Sequence, residues 1–284
     1  MPKEFPLLFA LNGGEVSPLT LGRVDLERMR ITAEVFVNCI PRMLGPLQFR
    51  PGTKFLSSTS FNAEARNLSF IRAVDDTALL ELTNLLMRIR IGGELLTRPS
   101  VATTVINGDF SSAVGWTLTT TGGGEASINS GGNGLLLLAT LPRGSTTLAK
   151  RSVTVAGPDQ NVLHALRIII TRGPIRFRCG STDGGDEYIA EAEYGTGTHS
   201  LTFTPTGDFR VQFSVERAAR VQVTSIQVEA GGVFSLTTPW ITDEIFDLKV
   251  EQSGDVIFAV NDEQQPRRIE RRHNATSWSI VSYE

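Results

Sequence analysis

Cysteine is nearly absent from this chain of 284 residues: Cys39 and Cys179 stand 140 positions apart. That spacing excludes a disulfide framework and a CxxC metal knuckle, so both thiols read as small core residues made in a reducing cytoplasm. Aromatic residues make up only 7%, with Trp116, Trp240 and Trp278 the sole tryptophans. A broad aromatic platform for sugar stacking is therefore unavailable. Long apolar runs are missing as well. The most hydrophobic stretches, 134–141 and 162–171, fall far short of a bilayer span, and the opening Met1-Pro2-Lys3-Glu4-Phe5-Pro6 has no basic stretch followed by an apolar one. Neither a signal peptide nor a membrane anchor is expected. An excess of one charge is lacking too: 27 Lys and Arg face 30 Asp and Glu, which disfavours a basic nucleic-acid groove as the main working surface.

Catalytic signatures are equally scarce. A Ser or Cys nucleophile needs a base, and His164, His199 and His273 are the only histidines; none stands in a recognisable catalytic context. HExxH, GxSxG, a P-loop and a GxGxxG after a strand do not occur. The sequence alone reads as a chain with no catalytic residue, no cofactor and no enzymatic activity. Acidic residues gather at Asp183, Asp186, Glu187, Glu191 and Glu193, where a solvated loop is the plain reading. Tyr188 and Tyr194 sit in the same stretch and are the candidates for an exposed sugar contact, with ordinary packing as the alternative. The Arg267-Arg268 and Arg271-Arg272 pairs, with Glu263 and Glu270 nearby, suggest a solvated turn that forms interchain ion pairs.

Glycine is unevenly spread, since 17 of its 27 residues lie between Val105 and Glu229. Within that island short runs alternate apolar and polar side chains, as in Thr146–Val153 and Arg210–Val215, separated by Gly, Pro, Asn and Asp. Seven or eight such strands point to a β-sandwich or jelly roll. Before the island, residues 67–96 read as consecutive hairpins turning at Asp75-Asp76, Asn84 and Gly92-Gly93. After it, strand patterns resume through Phe246-Asp247-Leu248, Val256–Val260 and Trp278–Val281. A short helix is expected within residues 19–36, started by Ser17-Pro18. The fold class is thus all-β. A discontinuous β domain (1–104 and 230–284) with a short N-terminal helix is interrupted by an inserted sandwich (105–229), with an open edge expected near Trp278–Tyr283.

The run Leu11-Asn12-Gly13-Gly14-Glu15-Val16-Ser17-Pro18-Leu19, then Gly22-Arg23-Val24-Asp25-Leu26, Asn38-Cys39-Ile40-Pro41 and Arg50-Pro51-Gly52-Thr53-Lys54-Phe55, resembles the N-terminus of nozzle-type tail tube proteins of short-tailed bacteriophages. The pattern resumes after the island with Leu236-Thr237-Thr238-Pro239-Trp240, Glu251-Gln252-Ser253-Gly254-Asp255-Val256 and Trp278-Ser279-Ile280. That resemblance implies a structural virion protein made in the host bacterial cytoplasm and built into the virion tail. It implies a ring homo-oligomer, a hexamer, with Asn12, Gly13, Gly14, Arg23, Asp25, Arg50, Pro51 and Gly52 as its assembly motif. An adaptor and tail fibres would be its neighbours, and DNA would be only a passing cargo. The chain ends at Glu284, where full-length members continue into a propeller-like body. The island's Asn107-Gly108-Asp109-Phe110 with Trp116 resembles the carbohydrate-binding-module-like jelly rolls of phage tail proteins. Such modules imply a possible structural Ca²⁺ at Asp109, Asp183 and Asp186, and host surface glycan as the alternative partner in attachment.

Overall fold

The computed structural model describes every residue except 1–9, Leu21, Val24, 130–133, 140–144, 217–218 and Glu284. The chain is all-β and divides into two compact units, Met1–Leu56 and Ser57–Glu284.

In the first unit the expected helix is replaced by two 3₁₀ turns, Pro18–Thr20 and Glu27–Ile31. The reason is local: Pro18 opens the first turn, Gly22 follows it, and no stripe of apolar side chains is buried to reward a longer helix. Two residues of the expected apolar face, Leu21 and Val24, lie outside the described residues. A short hairpin, Cys39–Pro41 with Leu47–Phe49, turns through Gly45 at φ 105°.

In the second unit Arg66–Ala73, Asp76–Thr83 and Leu86–Ile91 form an antiparallel meander that turns at Val74-Asp75, Asn84-Leu85 and Gly92-Gly93. Ser235–Thr237 pairs back onto Leu86–Arg88, so the chain returns to this sheet after the glycine-rich stretch. The two ends of that stretch meet, because Thr97–Arg98 pairs antiparallel with Gly232–Val233.

Between those ends two sheets face each other. One carries Ile189–Tyr194, Ile175–Gly180, Phe209–Val215, Thr146–Val153 and Thr117–Thr121 in that order. The other runs Glu125–Asn129, Gly134–Ala139, Ala219–Val228, His164–Arg172 and Gly197–Phe203. Their inner faces enclose a core of Phe110, Trp116, Leu135, Ile168, Phe177 and Phe213. A second core joins Leu68, Phe70, Leu82 and Met87 of the meander to Trp240, Ile257, Ile269 and Trp278 of the C-terminal part.

The C-terminal part holds a short α-helix, Thr242–Asp247, and four antiparallel strands: Lys249–Ser253, Val256–Val260, Arg267–Arg271 and Trp278–Ser282. The last strand does not present an open edge. It pairs with Gly197–Ser200 of the sandwich, so one nine-stranded sheet runs past both cores. Glycine permits this seam: a Cβ on Gly197 would stand 2.1 Å from the carbonyl oxygen of Ile280. Arg271 is not part of a solvated turn either. It is buried, bonds Asp76 at 2.6 Å and Asp255 at 2.9 Å, and lies over the Phe70 ring. Asp76 opens the second meander strand and Asp255 sits in the turn between Lys249–Ser253 and Val256–Val260, so Arg271 fastens the meander to the C-terminal strands.

Candidate assembly interface

Among the described residues of the first unit no apolar side chain is buried. Leu19 (94% exposed), Met43 (90%), Leu44 (95%) and Phe49 (82%) stand almost fully out, and Val37 and Phe55 are exposed as well. Each such side chain forgoes about 1.5–3 kcal/mol of burial, and a two-stranded hairpin is marginal by itself. These exposed apolar side chains make the unit the candidate interface.

Main-chain bonds organise the unit instead of a core. Asn12-Gly13 turns the chain, with Asn12 Nδ2 donating to Met43 O at 3.1 Å and Gly13 N donating to Ile31 O at 2.8 Å. Gly14 follows at φ 80°, a conformation that branched residues avoid. Gly13 is required for a different reason: its Cβ would lie 2.8 Å from Ile31 O and 2.6 Å from Thr32 Cγ2. Arg23 forks onto Asp25 with two bonds of 2.9 Å, and that bond holds the Asp25 carboxyl below its ordinary value. Both side chains are exposed and meet each other. Arg50 N donates to Asn38 O at 2.8 Å, and Pro51 and Gly52 continue in an exposed segment outside any strand. Gly13→Val is expected to open the stitch to Ile31 and to weaken self-association at least tenfold, while the tryptophan fluorescence of the second unit stays unchanged. An unaltered mass by light scattering would remove this turn from the interface.

The candidates in the sandwich separate. Asp109 accepts from Ser111 N (3.1 Å) and Oγ (2.8 Å). Asp183 pairs with Lys150 and Arg210, and the Lys150 ammonium in particular holds its carboxyl low. Asp186 accepts a long bond from Glu191 N. These three do not converge, and among the described residues no three His, Cys, Asp or Glu side chains gather to hold a metal. Asp183, Glu191 and Glu193 of the acidic stretch pair with Lys150, Arg210, Arg176 and Arg178. Tyr194 is not an exposed sugar contact. It is 3% exposed, packs edge-on against Phe177 and His199, and burial pushes its hydroxyl up to about 12. Tyr188 is half-buried against Phe203 and shares its hydroxyl with Thr206 at 2.9 Å.

Each histidine is engaged in hydrogen bonds. His164 Nδ1 meets Val162 O at 2.8 Å and its Nε2 meets Thr103 Oγ1 at 3.0 Å. His273 Nε2 donates to Thr202 O at 2.8 Å. His199, fully buried, bridges the seam: Nε2 donates to Gly195 O at 2.9 Å and Nδ1 accepts from Ser279 Oγ at 2.8 Å. Sequence reasoning missed a buried ion cluster at the base of the sandwich. There Glu229 accepts from Arg98 Nε and from Arg167 Nε, each at 2.8 Å, and Arg98 reaches Ser200 Oγ at 2.9 Å.

No family model and no curated protein matches this chain. Among solved structures, the chain is similar to the enzymatically active domain of tailspike protein 4 from bacteriophage CBA120, at 14% identity and a TM-score of 0.31. The match covers 44% of this chain and 21% of that one, so the chain spans about a fifth of the protein it resembles. The likeness is to a phage tail protein. It corrects one expectation: the matching domain is enzymatically active, and the scarcity of catalytic signatures here does not stand as a statement that the chain lacks activity. Among the described residues no helix is long and apolar enough to cross a membrane.

Proposed function

We propose that this chain is a structural component of a short-tailed phage tail, in which copies assemble head to tail into a closed ring. One observation carries the reading. The N-terminal unit, whose motifs resemble the tail tube family, buries no apolar side chain among its described residues, and it therefore needs a protein surface to cover it. A ring requires a heterologous interface, with one face of each copy meeting a different face of the next. A hexamer is the stoichiometry the family resemblance favours, with adaptor and fibre proteins at its two faces and DNA as passing cargo. In this reading the sandwich is a decoration domain; its two ends meet at the Thr97–Arg98 and Gly232–Val233 pair, and it shares a sheet with the C-terminal strands. Light scattering on the purified chain, with electron microscopy of the same fractions, is expected to show one closed oligomer of fixed mass. A chain that stays monomeric at every concentration would overturn the proposal.

A further inference from the structure

Two sheet edges flank one groove in the second unit. Arg66–Ala73 is the outer strand of the meander sheet, and Lys249–Ser253 is the outer strand of the nine-stranded sheet. Asn67, Ser69, Val250 and Gln252 line a cavity of about 260 Å³ between them. Side chains close both ends. At one, Arg66 Nη1 donates to the carbonyls of Ile245 (2.9 Å), Phe246 (3.0 Å) and Leu248 (2.6 Å). At the other, the Gln252 carboxamide stands in for a strand, its Oε1 accepting from Ile71 N at 3.0 Å and its Nε2 donating to Ile71 O at 2.9 Å.

Three consequences follow from that geometry. Arg66 lies by Leu248 and Ile71 by Gln252, so the two edges run in the same direction. A side chain is needed to span the gap, so the backbones stand farther apart than the ~4.8 Å of paired strands. Ladder groups alternate in direction along a strand, so the N–H and C=O of Asn67 and Ser69 point to the same side as those of Ile71, away from Asp76–Thr83. The Arg66 end, bonded to Ile245, Phe246 and Leu248, adjoins an acidic hollow lined by Glu244, Asp247, Asp262 and Glu263 together with Lys249.

The chain itself supplies a fitting guest. Residues 53–56 (Thr53, Lys54, Phe55 and Leu56) are exposed and lie outside any strand, with Phe55 79% exposed. Charge is complementary. Residues 1–56 hold 7 basic and 5 acidic side chains, against 20 and 25 in residues 57–284. A guest parallel to both edges would place its N-terminal end at Arg66, which brings Lys54 towards the acidic hollow.

We propose that the groove between Arg66–Ala73 and Lys249–Ser253 receives residues 53–56 of a second copy as an added β-strand. This rests on the ring reading and names its contact. Main-chain bonds to Asn67 and Ser69 supply affinity, as in other strand additions, and Lys54 against the carboxylates supplies register.

The test uses the full chain. Ser69→Pro removes an N–H that faces the groove while leaving the ladder to Asp76–Thr83 intact, and is expected to raise the self-association constant (Kd) at least tenfold by light scattering. Lys54→Glu, on an exposed residue, is expected to do the same, and Asp262→Lys in that background to recover part of the loss. Should the proline variant misfold by circular dichroism, the charge reversal and its rescue decide the matter. Hydrogen exchange at Asn67 and Ser69 is expected to show protection that grows with concentration. A wild-type chain that never associates overturns the ring reading and this inference with it. A wild-type oligomer unmoved by all three substitutions overturns this inference alone, as does full protection at Ser69 in the monomer, which would place the chain's own segment in the groove.

Discussion

Gly197→Val is expected to destabilise the second unit by roughly 3–5 kcal/mol, among the largest effects a single substitution produces, and to part the C-terminal strands from the sandwich. Gly197 begins the strand that lies between His164–Arg172 and Trp278–Ser282, paired with Ile170 on one side and Val281 on the other. Its φ is 150°, and an added Cβ would meet Ile280 O at 2.1 Å and Val281 Cα at 2.7 Å. Both are backbone atoms held in a ladder, so neither can swing aside as a flexible side chain would. Relief would require the two strands to separate, which exposes Trp278 and Ile280, both buried. Gly207→Ala is the matched control. A Cβ there meets nothing within 4 Å, and a change within about 0.5 kcal/mol is expected. Urea titration followed by tryptophan fluorescence measures both. A loss below about 1 kcal/mol for Gly197→Val would mean that the seam does not join the two cores.

That seam shows where the sequence stops being legible. Local signals were sufficient for local structure: Asn84 and Gly92-Gly93 turn the meander, and the alternation in Arg210–Val215 forms a strand whose Val211, Phe213 and Val215 enter the core. Nothing local says that Trp278–Ser282 will pair with a strand some 80 positions earlier, because edge pairing depends on which open edge lies nearby. Gly195-Thr196-Gly197 reads as an ordinary turn, although its second glycine is required by a neighbouring strand. Tyr194 misled for a similar reason. Its acidic neighbours Glu191 and Glu193 suggest solvent, yet the Glu side chains face the Arg176 and Arg178 side chains on one side of the sheet while the ring enters the core on the other. Arg98 lies just before the glycine-rich island and Glu229 is its last residue, and neither stands in a pattern that signals burial. They are buried in ion pairs because the two ends of the sandwich close there, and burial lowers the pKa of Arg98 while Glu229 raises it. The assembly motif was legible as glycine and proline punctuation, and its exposure was not, since exposure depends on the absence of a covering layer.

Acidification from pH 6.5 to pH 4.5 is expected to lower the stability of the second unit by about 2–3 kcal/mol, with His199 as the cause. The ring is fully buried where Gly197–Phe203 meets Trp278–Ser282, and the groups facing it are Tyr194, Ser279 and the cationic Arg272. Its partners fix the neutral form. Gly195 O can only accept, so Nε2 carries the proton; Ser279 then donates to Nδ1 and accepts from Arg272 Nε at 3.2 Å. Burial first, and Arg272 second, push the folded-state pKa down to about 3 from the ordinary 6.5. The sign follows from which state takes the proton. Below pH 6.5 the unfolded chain protonates this histidine while the folded chain keeps it neutral, so stability is complete above pH 6.5. It falls by up to ~1.4 kcal/mol per pH unit on the way to 3 and flattens below. Asp76, Asp109, Asp183 and Glu187 also have lowered pKa values, but carboxylates protonate in the unfolded chain mainly below about pH 4.5. The window from 6.5 to 4.5 therefore separates His199 from these carboxylates, and the His199→Gln variant separates it from His164 and His273. His199→Gln is expected to be less stable at neutral pH and nearly insensitive to pH across that window. Chemical denaturation at half-unit steps would decide the point, since an equal slope in the wild type and His199→Gln would place the titrating group elsewhere.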